Sequence, residues 1–428
     1  MRLNHLIPAL VLSGVSVPAR ASVELNAGNT AWLLVATALV LFMTLPGLAL
    51  FYGGLVRSKN ALSIMMQCFA ITCVVTLVWF GFGYGLAFGD GGAWNALIGS
   101  GRMALAGLER ASLVGDTPES VYLMFQMTFA IITPALIIGA FAERMRFSAA
   151  LLFSLAWFLL AYIPVCHWVW GKGWLAGLGV LDYAGGIVVH VNAGAAALVA
   201  ALMVGRRHGF PEHAMPPHNM TLVVTGAGML WVGWFGFNAG SALAANGDAG
   251  MTMLVTHLSA AAGALAWSAL EWKIYGKPSA LGLVTGMVAG LGTITPASGF
   301  VGPAAAVIIG FSAGALCYAA THRFKRIWKI DDSLDVSPVH GVGGALGSVL
   351  TGVFVAAPLG GTGLAEGVTM GHQVMVQLLA VVVTALWSAG VTWLVLKVLD
   401  RLVGLRVTLD EEREGLDLAA HGESAYIL

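Results

Sequence analysis

The chain has 428 residues, of which 58% are hydrophobic and only 10% charged, far below the roughly 25% charged residues of a soluble globular domain. Soluble classes are thereby excluded and an integral membrane protein is expected. The 21 basic and 21 acidic residues cancel, so neither a net field nor a basic run draws nucleic acid. Cys68, Cys73, Cys166 and Cys317 lie in apolar runs without CxxC spacing, which argues against a disulfide framework or a zinc site.

Residues 1–21 read as a signal peptide: Arg2, an apolar run from Leu6 to Val17, then Ala19-Arg20-Ala21 as a small-x-small cleavage site. The mature chain would begin at Ser22, outside the cytoplasm. A span needs about 20 apolar residues, and eleven candidates follow, near 31–52, 61–83, 121–142, 148–167, 185–205, 221–241, 251–270, 279–297, 302–321, 336–356 and 373–396. The expected architecture is all-α and polytopic, with a transmembrane domain over 22–404 and a charged tail over 405–428. Pro134 and Pro296 are expected to bend their helices, and the 56 glycines suit close helix packing.

Loop charge orients the spans, because cytoplasmic loops collect Lys and Arg. Arg57, Lys59, Arg144, Arg146, Arg206, Arg207, Lys273, Lys277, Arg323, Lys325, Arg326 and Lys329 fall in alternate loops, and Lys397, Arg401, Arg406 and Arg413 follow the last span. Only Arg102, Arg110 and Lys172 fall on the other side. The N-terminus is therefore expected outside and the C-terminus inside a multi-pass protein of the inner (plasma) membrane.

An odd span count fits an inverted repeat of five plus five spans, plus one. The fifth and tenth spans show a faint likeness: Val189-His190-Val191-Asn192-Ala193-Gly194-Ala195 matches Val339-His340-Gly341-Val342-Gly343-Gly344-Ala345 at the Val, the His, one Gly and the last Ala. Halves running in opposite directions would bring His190 and His340 to the middle from opposite faces. His340 lies only five residues past Asp335; if it is deep, Asp335 is expected to cap a recessed helix N-terminus, accepting orphan N–H groups. His167 is expected at the interface and His257 in packing.

Several stretches in order resemble the Amt/Rh ammonium transporter family, on the bacterial Amt side: FYGGLVRSKN (Phe51 onward), GAFAERMRFSA (Gly139 onward), HWVWGKG (His167 onward), DYAGGIVVHVNAG (Asp182 onward), GWFGFNAGS (Gly233 onward), DDSLD with VHGVGG (Asp331 to Gly344), and EREGLD with HGESAY in the tail. The resemblance implies eleven helices, a homotrimer and one pore in each subunit, with no enzymatic activity, no cofactor and no metal. Ser337-Pro338 stands where the family commonly shows Phe-Gly, and Pro fits a first helical turn.

No Asp or Glu lies within any span, so an intact cation would cross hydrocarbon at a cost of several kcal/mol or more. Neutral imidazoles offer one donor and one acceptor each, so two facing rings can share a hydrogen bond and still address a passing guest. The resemblance assigns the twin histidines to His190 and His340. It implies an outer ammonium site of Phe129, Trp170 and Ser241, with Ser241 accepting an N–H, and a gate of stacked Phe129 and Phe237. A cation over an aromatic face gains about 0.5 to 2 kcal/mol. Phe125, four residues before Phe129 and so on the same helical face, and Trp234 are expected to line the pore. Asp182 is expected to act structurally near the outer site, capping a helix. Taken singly, such aromatics are more often belt or packing residues.

The tail would be a disordered segment on composition alone, but its likeness to the family's tail implies an ordered one that docks and helps a PII-type signal protein block the exit. Two other functions compete. A transition-metal transporter predicts clustered carboxylates or thiolates at membrane depth, and an ammonium sensor acting through a partner predicts binding without flux. No HExxH, GxSxG or paired carboxylates of an intramembrane enzyme occur in the spans.

Overall fold

Apolar runs in lipid keep their backbone groups bonded only as helices or closed barrels, and here every expected span is helical. The computed structural model describes residues 24–426; the expected signal peptide lies outside them. In chain order the helices are α1 Ala27–Leu55, α2 Ser58–Phe88, α3 Glu119–Ala140, α4 Phe147–Gly177, α5 Gly186–Val204, α6 Met220–Gly240, α7 Gly247–Tyr275, α8 Ala280–Ile294, α9 Pro303–Ile327, α10 (Ser337–Gly341 continued by Val342–Phe354) and α11 Met370–Leu402. Among the described residues nine of these are long and apolar enough to cross a membrane, while α8 and α10 are shorter. Two short tail helices follow, α12 Leu409–Glu414 and α13 Leu416–His421. A two-stranded hairpin, β1 Leu113–Val114 and β2 Thr117–Pro118, sits between α2 and α3.

Helix starts carry side chains able to accept orphan N–H groups: Asn26, Asn219, Asn246, Ser279 and Thr369 each accept from a backbone N–H three residues on. Two of the starts are unusual. α5 opens with a π-helical turn, Gly186–Val191, and α10 with another, Ser337–Gly341; such turns widen the helix and re-aim its side chains. The two helices then cross with almost no separation, since a Cβ on Gly194 would stand 2.2 Å from the Gly341 Cα.

One expectation needs correction. Pro296 does not bend a helix, because α8 has already ended at Ile294; Pro134 does lie inside α3. His167 is 0% exposed, enclosed by protein near the end of the fourth expected span.

The tail is ordered and docked. The Asp417 carboxylate accepts from the Leu62 and Ser63 N–H groups at 3.1 and 2.7 Å, capping the start of α2, and Leu416 N–H donates to Asn60. Arg406 pairs with Glu412 at 2.7 Å, and Glu412 also accepts from the His208 N–H. Lys59 donates to the Arg413 carbonyl, and Tyr426 meets His218 at 2.8 Å. Beneath this strap lies a buried ion network in which Glu143 pairs with Arg57 and Arg207, and Arg207 with Asp331. Burial alone would raise the Glu143 carboxyl, but Arg207 and Arg57 beside it outweigh that and hold it below its ordinary value.

Candidate functional site

The residues singled out by sequence come together along one line. On the face opposite the tail, a vestibule of about 340 Å³ is lined by Phe129, Trp170, Asp182 and Ser241, joined by Tyr122, Gln126, Tyr183 and Phe300. From there rings succeed one another inward. Trp170 lies 5.6 Å from Phe129 edge-on, Phe129 4.3 Å from Phe237, Phe237 6.1 Å from His190, and His190 5.2 Å from His340, all centroid to centroid.

The two histidines meet through their Nδ1 atoms, 3.2 Å apart, with ring planes 28° from parallel. One Nδ1 must donate and the other accept, which leaves each Nε2 free for the path. The His190 Nε2 is buried and has no partner in the protein. Around the pair is a cavity of about 20 Å³, walled by Leu48, Ile132, Val189, Leu230, Val288 and the rings. That volume is about one water-sized guest. No carboxylate lines it. Trp234 stands 5.6 Å from His190, its indole N–H fixed by the Thr295 hydroxyl at 2.9 Å.

Each histidine is aimed by a carboxylate at the start of its helix. Asp182 accepts from the N–H groups of Gly185, Gly186, Ile187 and Val188 at 2.6 to 3.0 Å, and Gly185 takes the left-handed conformation (φ +113°) that lets the chain fold back over it. Asp182 is thus a cap, as expected. For His340 the expectation fails. Asp332, not Asp335, caps α10, accepting from Val336 at 3.1 Å and Ser337 at 2.7 Å. Asp335 sits at φ +60° and turns its carboxylate to the Lys325 ammonium, 2.7 Å away. The left-handed turn reverses the chain between the two acids, so the one farther in sequence is the one that faces the helix start.

Other placements differ from expectation or add to it. Phe125 is not among the side chains lining the vestibule or the inner cavity; its ring backs Phe129 at 5.0 Å and packs where a Cβ on Gly240 would fall. Ser241 donates its hydroxyl to the Phe237 carbonyl at 2.9 Å, which leaves its oxygen open to accept. His257 packs on Trp231, as expected. Sequence reasoning missed Gly292, whose Cβ position is 3.9 Å from atoms of both histidines, and Tyr183 and Phe300 in the vestibule; an apolar helix offers no signal that one glycine borders a path. On the tail side, a further cavity of about 90 Å³ joins His340 to Thr285, Lys325 and Asp335. Among the described residues no group of His, Cys, Asp and Glu could hold a metal ion.

The sequence profile of the Ammonium Transporter Family matches residues 31–426. The chain belongs to the ammonium transporter family. It is 48% identical over 424 residues to an ammonium transporter of Aquifex aeolicus, covering 98% of each chain, and 46% identical to one of Bacillus subtilis, covering 93% of this chain and 98% of that one. Its fold is similar to a solved structure named "Sensor Amt Protein", with a TM-score of 0.86, 33% identity and coverage of 92% and 98%. It is similar also to Saccharomyces cerevisiae Mep2, with a TM-score of 0.80, 36% identity and coverage of 91% and 92%. As a member of this family the chain is a multi-pass membrane protein, and membership supports ammonium transport.

Proposed function

We propose that the protein recruits ammonium at an outer aromatic site and passes it inward as ammonia, separated from its proton, along the His190–His340 pair. The observation that carries this reading is the 3.2 Å contact between two imidazoles from separate helices in an apolar cavity large enough for one small guest. Phe129, Trp170 and Ser241 hold the cation: the ring faces attract it while the Ser241 oxygen accepts an N–H. Phe129 and Phe237, 4.3 Å apart, close the way beneath and part to let the guest through. Below them the wall is too apolar for an ion, so ammonia moves on while the imidazoles offer a donor and an acceptor in turn.

Eleven spans in an inverted five-plus-five arrangement, with the N-terminus outside and the C-terminus inside the inner membrane, agree with the loop charges and with the paired π-turns of α5 and α10. The assembly is a homotrimer on family grounds, and the docked tail is the surface on which a PII-type signal protein would block the exit. The test is purified protein in liposomes given an ammonium gradient while pH and membrane current are recorded together. His190→Ala is expected to abolish ammonium-dependent flux; flux surviving in both His190→Ala and His340→Ala would remove the mechanism.

A further inference from the structure

His167 has no place in the path described above, yet it is fully buried, and both of its ring nitrogens face backbone carbonyl oxygens. Nδ1 lies 2.8 Å from the Ala87 oxygen and Nε2 2.7 Å from the Asn95 oxygen. A carbonyl oxygen can only accept. A neutral imidazole has one N–H and one bare lone pair, so in either tautomer one of these contacts would set lone pair against lone pair at a distance typical of a charge-assisted hydrogen bond. Two N–H groups remove the conflict.

We infer that His167 is held as an imidazolium, donating to both carbonyls, and that it is the positioning residue for Trp170. The surroundings suit a cation without a carboxylate partner. His167 lies in the last turn of the α4 segment Ile163–Val169, and Ala87 in the last turn of α2, Tyr84–Phe88. Two helix C-termini, with their partial negative charge and unpaired carbonyls, converge on one ring. Ionisable groups carried by the elements packed around it are Tyr84, Asp90, Tyr162, Cys166, Lys172 and His190; none of them hydrogen-bonds the ring.

The contact joins the loop after α2 to the turn that bears Trp170. Trp168 donates its indole N–H to the Leu97 carbonyl at 2.8 Å, and the Trp174 N–H reaches the Ala96 carbonyl at 3.0 Å. His167 supplies the two inner ties of the same seam. The turn is seated directly on the ring, since a Cβ on Gly171 would fall 2.6 Å from His167 Nδ1 and 2.0 Å from the Ala87 oxygen. Trp170 then has its indole N–H on the Asp182 carbonyl at 2.8 Å and its ring in the outer vestibule.

Two measurements test this. Cys166-His167 is the one Cys-His pair in the sequence, so carbonyl-13C cysteine with 15N histidine assigns this residue by nuclear magnetic resonance in the intact protein, without a variant. At neutral pH both ring nitrogens are expected to carry protons; one bare nitrogen overturns the inference. The second measurement, which rests on the transport reading above, is the initial rate of ammonium-dependent flux into liposomes, followed by internal pH and membrane current together. His167→Phe removes both donors and is expected to raise the half-saturating ammonium concentration about fivefold, the scale of one weakened cation–aromatic contact, while the maximal rate changes less than about twofold. An unchanged half-saturation overturns the positioning role. Wild-type protein without any ammonium-dependent flux would count against the transport reading and leave the spectroscopic result to stand or fall by itself.

Discussion

The segments carrying His190 and His340 are built alike and held differently. Both are π-turns opening a helix, both are capped by an aspartate, and both deliver an imidazole to one small cavity. Asp182, however, accepts four N–H groups, whereas Asp332 accepts two and leaves the rest of its turn to Pro338, which has no N–H to satisfy. The contacts at the crossing are also unequal: a Cβ added on Gly194 would meet Gly341 backbone at 2.2 Å, while one on Gly341 would find Gly194 at 3.2 Å. One segment is the frame, and the other is fitted against it.

Variants on the His190 side are therefore expected to cost more than their partners. Asp182→Ala strands four buried N–H groups, each costing about 1–3 kcal/mol, and is expected to leave little folded protein after detergent extraction, as size-exclusion chromatography would show. Asp332→Ala strands two, with a loss on the order of 2 kcal/mol visible as a lower midpoint in thermal melts; equal losses in the two variants would break the comparison. Gly194→Ala is expected to cost about 1–3 kcal/mol by overpacking and to abolish flux by parting the histidines. Gly341→Ala, with its neighbour a full ångström farther off, is expected to keep flux within about twofold and lose less than about 1 kcal/mol.

The smallest effect concerns the tail face. The Glu143 carboxyl is held low by Arg207 and Arg57 against the opposing pull of burial, so its contribution to stability is present at neutral pH. That contribution is lost as pH falls below the ordinary glutamate value of 4.5. Melting midpoints measured downward through that range should fall in the wild type and flatten in Glu143→Gln, whose melting point is already low at neutral pH. Gly194→Ala and Gly341→Ala, which remove no titratable group, should follow the wild-type pH slope, which separates this network from the helix crossing.

What could be read from the sequence was what depends on composition along the chain. Apolar runs in lipid keep their backbone groups bonded as helices or closed barrels, and runs of about 20 residues fit helices, so the helical segments were legible from hydropathy. The pairing of His190 with His340 was legible because the two stretches share a pattern, and Asp182 because a cap sits next to its own helix. Asp335 was misassigned for a related reason: adjacency favoured it, but a left-handed turn at that residue sends its carboxylate to Lys325 and brings Asp332 to the helix start. Phe125 was placed correctly on the Phe129 face of α3, yet helical spacing cannot say which of two neighbouring rings meets the path and which backs it.

The sequence by itself determined that this is a helical membrane protein of the ammonium transporter family with two histidines in matched segments, because periodicity, hydropathy and motif are properties of the linear chain. The tertiary structure alone decided that the imidazoles touch, that Asp332 holds one of them, and that His167 is buried between two helix ends. Those facts depend on which backbone groups are brought face to face by helices far apart in sequence, and close contacts of that kind leave no mark on local composition.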